Sequence, residues 1–321
     1  MLRWGILGAA KIAKNRVIPA IQSSKSGRVT AIATRNPKGI ESFCEETGIG
    51  LIFDDYDALI ASTEIDAVYI PLPNHLHVPF AIKAAKAGKH VLCEKPISMD
   101  SRELMTLIEV QKNTGVLIQE AFMVMSNPLW AKAKAMIDGG EIGDLRTLTG
   151  NFSYLNLDPS NVRNVPEYGG GALMDIGCYL TLAALYFFDQ KPTNAEGYQL
   201  MDPEFGVDYL TSAAIEFPKG HAIITCSTQS MPQQSLILEG TKGRIQFEVP
   251  FSHPDDQPGS LILDRGPDIF RIETTRIVTE PFNHYRKHVD HFAEIVSGDK
   301  TNQFDLQFSL LNMQLIDMLR R

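Results

Sequence analysis

The sequence has few cysteines, no basic run and no long apolar stretch, and each absence removes a class of protein. Its four cysteines, Cys44, Cys93, Cys178 and Cys226, are widely scattered and form no CxxC pair. Neither a zinc site nor a disulfide framework is indicated, no metal site is expected, and a reducing cytoplasm fits. The net charge of −8, without a basic cluster, argues against nucleic acid and anionic membranes as partners. No apolar stretch approaches the ~20 residues that span a bilayer. The chain enters a strand at once, from Leu2 to Leu7, with no basic n-region or apolar h-region, so no signal peptide is expected. What is there is an ordinary globular composition, 44% hydrophobic and 21% charged. At 321 residues it is long enough for two domains with substantial cores.

The first part alternates short apolar runs with helical patterns. Strands are predicted at 3–7, 29–34, 51–53, 67–70, 90–93 and 116–119, and helices at 12–22, 38–47, 56–61, 77–87 and 101–113. Gly88 ends the fourth helix as a C′ glycine, and Ser98-Met99-Asp100-Ser101 offers N-cap oxygens to the fifth. This repeated β-α unit predicts an α/β fold, a Rossmann doubly wound parallel sheet over residues 1–123. Near Val124 the pattern changes. Helices are predicted at 128–136, 171–188, 284–296 and 304–318. Hairpins pair 211–217 with 222–228 and 235–239 with 243–247, and 252–259 reads as an exposed loop. Residues 124–321 should form an α/β domain with a largely antiparallel sheet, with room for the last helix to pack back on the first domain.

Three motifs fall at the carboxyl ends of the predicted parallel strands, the edge where open α/β sheets bind ligands. Gly8-Ala9-Ala10-Lys11-Ile12-Ala13 is a GxGxxA turn with Ala10 in place of the middle glycine, suited to a pyrophosphate at a helix N-terminus. The second strand ends in Thr34-Arg35-Asn36 with no acid to accept from a ribose 2′-hydroxyl; the guanidinium of Arg35 suits a 2′-phosphate. NADP(H) is therefore preferred, with NAD(H) as the alternative. Pro71-Leu72-Pro73-Asn74-His75-Leu76-His77 follows the fourth strand, and Pro71, Leu72, Asn74 and His77 are candidates for cofactor contact. Either histidine could instead cap the next helix. Glu94-Lys95-Pro96 follows the fifth strand, because proline cannot continue a ladder. Lys95 is thus a movable cation at the ligand edge, with Glu94 beside it.

The densest constellation is 169–179, three glycines leading into a helix that carries Asp175 and Tyr179 four residues apart. Glycines permit a close approach beside a ligand, and a tyrosine serves as acid–base where a cation lowers its pKa. The alternative is a helix start with a core tyrosine. Asn151, Phe152, Arg163 and Tyr168 are candidate walls of a substrate pocket.

These residues resemble the glucose-fructose oxidoreductase, inositol dehydrogenase and rhizopine-catabolism (Gfo/Idh/MocA) family over nearly the whole chain. Trp4-Gly5-Ile6-Leu7-Gly8, Glu94-Lys95-Pro96, segment 169–179 and Gly240-Thr241-Lys242-Gly243 carry the resemblance. Thr34-Arg35, Cys93-Glu94-Lys95-Pro96 and Glu120-Ala121 resemble the dimeric dihydrodiol dehydrogenases and NADP-linked D-xylose dehydrogenases; Met123 departs from that branch, which often has Trp there. The resemblance implies Lys95 and Tyr179 as a catalytic pair, Asp175 as a substrate-orienting residue, and a frequently cis peptide before Pro96. It also implies a sugar, polyol or dihydrodiol substrate, and a homodimer or higher oligomer through the second sheet. An imine or enal reductase of the same fold and a regulator that binds NADP without turnover are the alternatives.

Overall fold

Six short apolar runs become one parallel sheet: β1 (Leu2–Leu7), β2 (Gly27–Ala33), β3 (Leu51–Phe53), β4 (Ala67–Ile70), β5 (His90–Cys93) and β6 (Ile118–Glu120). Their order is β3-β2-β1-β4-β5-β6, so the sheet winds outward both ways from a switch point between β1 and β4. The helices between strands are α1 (Ile18–Ser23), α2 (Glu41–Thr47), α3 (Tyr56–Ala61), α4 (His77–Lys86) and α5 (Ser101–Thr114). The start of α5 is a reciprocal cap: the Asp100 carboxylate accepts from Glu103 N–H at 2.8 Å, and the Glu103 carboxylate accepts from Met99 N–H at 2.7 Å. The first helix departs from the expected α-helix over 12–22. After Lys11 and Ile12 it passes through a π-helical turn, Ala13–Val17, before α1.

The computed structural model describes residues 1–320. It divides into two units, Met1–Met123 with Tyr285–Leu310, and Val124–His284 with the chain from Leu311 onward. The second unit holds α6 (Pro128–Asp138), β7 (Leu145–Leu155), α7 (Cys178–Phe188), β8 (Asn194–Met201), β9 (Asp208–Phe217), β10 (Gly220–Ser227), β11 (Gln229–Gly240), β12 (Arg244–Phe247), β13 (Ser260–Asp264) and β14 (Thr274–Val278). Its sheet runs β14-β13-β12-β11-β7-β10-β9-β8, antiparallel everywhere except between β7 and β10. Both expected hairpins are present, as β9–β10 and β11–β12.

The central strand β7 is the main surprise, because no strand is expected there. Its apolar residues are diluted by Thr, Ser, Asn and Gly150. Gly150 is needed: a Cβ there would lie 2.7 Å from Leu180 Cδ2, so α7 packs where a side chain would stand. The expected helix over 171–188 is also divided, into a π-helical turn Leu173–Gly177 followed by α7. By length and composition alone, Pro166–Phe188 would pass for a membrane-crossing helix, which the sequence reading did not anticipate. Its apolar window is 89% buried inside the protein, which is the packing of a core helix.

Two further helices are α8 (His284–Ser297) and α9 (Leu306–Leu319). Val289 and Phe292 of α8 join Trp4, Ile6, Ile32, Tyr69 and Leu92 in the core of the first unit, with the Phe292 ring centroid 5.0 Å from that of Trp4.

Candidate active site

In the first unit the candidate residues leave the carboxyl ends of four adjacent strands. Gly8 departs β1 at φ +101°, and a Cβ there would lie 3.1 Å from Leu72 Cδ2. Ala9 and Ala10 are half-buried, and the helical run begins at Lys11 and Ile12. A pyrophosphate can therefore approach bare backbone N–H groups. After β2, Thr34 is buried and its hydroxyl accepts from Asn36 N–H at 3.3 Å, while Asn36 Oδ1 accepts from Gly39 N–H at 3.2 Å. This short turn presents Arg35 outward, exposed and without an ion pair among the described residues.

The loops after β4 and β5 are tied together by His77. Its ring is fully buried, with Nδ1 2.8 Å from the Pro96 carbonyl oxygen and Nε2 2.7 Å from that of Leu72. Burial pulls the imidazole down to about 4, against the two carbonyls that favour its protonation. Each ring nitrogen faces a backbone carbonyl, the neutral ring donating to one of them, so His77 ties the Leu72 and Pro96 backbones together and leaves no nitrogen facing a cofactor. Pro71, Leu72 and Asn74 lie in the same loop. The Lys95–Pro96 peptide is cis. Lys95 is half-buried. Glu94 is bonded through both carboxylate oxygens: one accepts from the Tyr69 hydroxyl at 2.5 Å and the other from Lys95 N–H at 3.3 Å.

Beneath this loop lies Glu120, a carboxyl the motif reading did not single out for the site. It is 6% exposed and accepts from Ile97 N–H at 2.9 Å. Burial pushes it up to about 7, against hydrogen bonds from Ser309 and Ile97 and the pull of the Lys95 ammonium. Between about pH 4.5 and 7 the folded state keeps a proton that the unfolded chain has released. Its contribution to stability is therefore fully present at the acid end and falls, by up to roughly 3 kcal/mol, as the pH rises through that window. Glu120→Gln is expected to flatten this loss. Urea unfolding of both proteins at pH 5 and pH 8 checks it, and parallel pH dependences would contradict it.

In the second unit, the Tyr179 ring is 4% exposed and walled by Phe152 and Phe251, at centroid distances of 5.8 and 6.0 Å. The Asp175 carboxylate accepts from the Tyr154 hydroxyl and pairs with Arg163 Nε at 2.9 Å. Burial, and then the Asp175 charge, hold the Tyr154 phenol well above its usual range. Arg163 is 45% exposed at its side chain, and Tyr168 is exposed on the short helical turn Pro166–Tyr168. Two of the expected wall residues, Asn151 and Phe152, are not brought together. Neighbours in a strand face opposite ways, so Asn151 cannot share the face of Phe152. The residue that does share it is Tyr154, and a period-two reading of β7 would have found it. Asn151 lies on the other face, beside Thr147 and Ser153, whose hydroxyls bond to Glu239 and the Met231 carbonyl.

Residues 2–122 match the family described as "Oxidoreductase family, NAD-binding Rossmann fold", and residues 130–246 match the "GFO/IDH/MocA C-terminal domain". The chain belongs to the GFO/IDH/MocA oxidoreductases. Among the members it resembles is an uncharacterized oxidoreductase of Rhizobium meliloti, 39% identical over 100% of this chain and 96% of its own length. A D-xylose 1-dehydrogenase (NADP(+)) of Haloferax volcanii is 33% identical over 99% of this chain and 96% of its own. Among solved structures, a 3-ketoreductase from Actinomadura kijaniata in complex with NADP and TDP-benzene superposes with a TM-score of 0.91. It is 28% identical, over 99% of this chain and 97% of that one.

Proposed function

We propose that this family member is an NADP-dependent oxidoreductase that transfers a hydride between the nicotinamide and a hydroxyl-bearing carbon of a sugar, polyol or trans-dihydrodiol. The observation that carries the reading is the ligand edge of the first sheet, where the Gly8 turn, the outward Arg35 and Lys95 emerge from β1, β2 and β5. The open backbone at Gly8 fits a pyrophosphate, and Arg35 fits a 2′-phosphate. NADP(H), when bound, supplies or accepts the hydride at its nicotinamide C4. Tyr179 takes the hydroxyl proton as phenolate, or returns it in the reductive direction. Lys95 hydrogen-bonds the same oxygen, and its charge favours the phenolate. Asp175, held by Arg163 and Tyr154, orients the substrate. The NADP-linked xylose dehydrogenase supports this reading. So does the ketoreductase, which has also been solved as a tyrosine-to-phenylalanine variant and as a lysine-to-alanine variant.

Absorbance at 340 nm, with NADP⁺ and a panel of sugars, inositols and diols, tests the reading, and NADPH with keto sugars tests the reverse direction. Turnover on at least one class is expected. NADP binding with no turnover in either direction would point to a regulator, and turnover confined to imines or enals would point to a different reductase. Arg35→Ser is expected to raise KM for NADP about 10- to 100-fold, the weight of one or two charge-assisted hydrogen bonds, while KM for NAD changes little. Equal KM values for NADP in the two proteins would remove Arg35 from the cofactor site.

A further inference from the structure

The helix that carries Asp175 and Tyr179 begins with a turn held at both of its ends by side chains outside the candidate site. That turn, Leu173–Gly177, is π-helical, and its leading N–H groups, as at any helix start, have no partner within the helix. At the front, the Asp208 carboxylate accepts from Leu173 N–H at 2.9 Å and from the Thr211 hydroxyl at 2.6 Å. Asp208 is 6% exposed and reaches this place only because residue 171 is glycine: at φ +110°, a Cβ on Gly171 would stand 2.1 Å from Asp208 Oδ1. At the back, the Cys178 carbonyl, one residue before Tyr179, accepts from Asn312 Nδ2 at 3.2 Å and from the Thr181 hydroxyl at 3.1 Å. Asn312 is 2% exposed, and its own amide oxygen has no partner among the described residues. A buried amide left half-satisfied carries a desolvation penalty, so this bond to Cys178 is held at a cost in stability.

We propose that Asp208 and Asn312 are positioning residues that together hold the π-helical turn in register and so set the aim of the Tyr179 phenol. The proposal rests on the reading of Tyr179 as the proton-transfer group. An α-helical relaxation of the turn, with i→i+4 in place of i→i+5 bonds, would rotate Asp175 relative to Tyr179. Catalysis that depends on a hydroxyl placed within hydrogen-bond reach loses heavily from small misplacement.

The test uses the full-length protein with 3-fluorotyrosine at position 179, and compares Asn312→Leu, Asp208→Ala and Asp208→Asn. Without cofactor, the fluorine resonance of Asn312→Leu is expected to shift, and its ionisation midpoint to move by at least about half a pH unit. In the enzyme bearing ordinary tyrosine, kcat is expected to fall about tenfold in Asn312→Leu and Asp208→Ala, with the KM for NADP unchanged. Asp208→Asn, which keeps an acceptor for Leu173 N–H, is expected to restore most of that loss. An unmoved resonance and a wild-type kcat in Asn312→Leu would overturn the proposal, whether or not Asp208→Ala folds. Tyr179→Phe is assayed beside them. If it retains turnover while the resonance still moves, the reading of Tyr179 fails and the grip on the turn stands as purely structural.

Discussion

The Tyr179→Phe variant is expected to lose about 10²–10⁴-fold in kcat, the range that a positioned proton-transfer group supplies. The substitution is clean because Phe152 and Phe251 pack the ring, at 5.8 and 6.0 Å between centroids, and a phenylalanine fills the same volume. Asp175 keeps both Arg163 and Tyr154, so its carboxylate stays in place. NADP(H) binding, followed by quenching of protein fluorescence, should remain within about twofold of wild type, because the proposed mechanism has the hydroxyl act on the substrate oxygen and not on the cofactor. A kcat near that of wild type would remove Tyr179 from the mechanism.

Lys95→Met carries the second large effect, an expected loss of about 10²-fold or more in kcat. The sign of the pH response is the sharper readout. In the proposed mechanism the Lys95 ammonium favours the phenolate, so its removal is expected to make the tyrosine harder to ionise. In the oxidative direction the rising limb of the kcat profile should therefore move to higher pH. Lys95→Arg keeps the charge but not the compact, rotatable ammonium, and should restore the position of the limb more fully than the rate. A profile unchanged in Lys95→Met would mean that Lys95 does not tune the proton-transfer group.

Much of the first sheet was legible because a buried parallel strand reads as a short apolar run, and all six runs are strands. The Gly8 turn, Arg35 and Lys95 were legible for the same reason: once the strands are placed, the residues that follow them lie on the ligand edge. The second sheet was harder. β7 interleaves Leu148, Gly150, Phe152 and Tyr154 with polar residues on its opposite face, and no apolar run marks it. Without a visible strand there is no alternation to assign, so the sequence alone does not separate Asn151 from the face that Phe152 shares with Tyr154. The π-helical turns at Ala13–Val17 and Leu173–Gly177 have no sequence signature of their own, and the residues hydrogen-bonded to the second, Asp208 and Asn312, are distant from it in the chain. Glu120 escaped the motif reading because its elevated pKa comes from burial, which only the folded chain displays.

Hydride transfer itself can be followed with an isotope. Deuterium is placed on the hydroxyl-bearing carbon of the sugar, polyol or diol that gives turnover with NADP⁺, and the NADPH formed is examined by mass spectrometry. The proposed function requires one deuterium at nicotinamide C4 of each NADPH made by the wild-type enzyme, and almost no NADPH from Tyr179→Phe. Unlabelled NADPH, with the deuterium released to water, would contradict it.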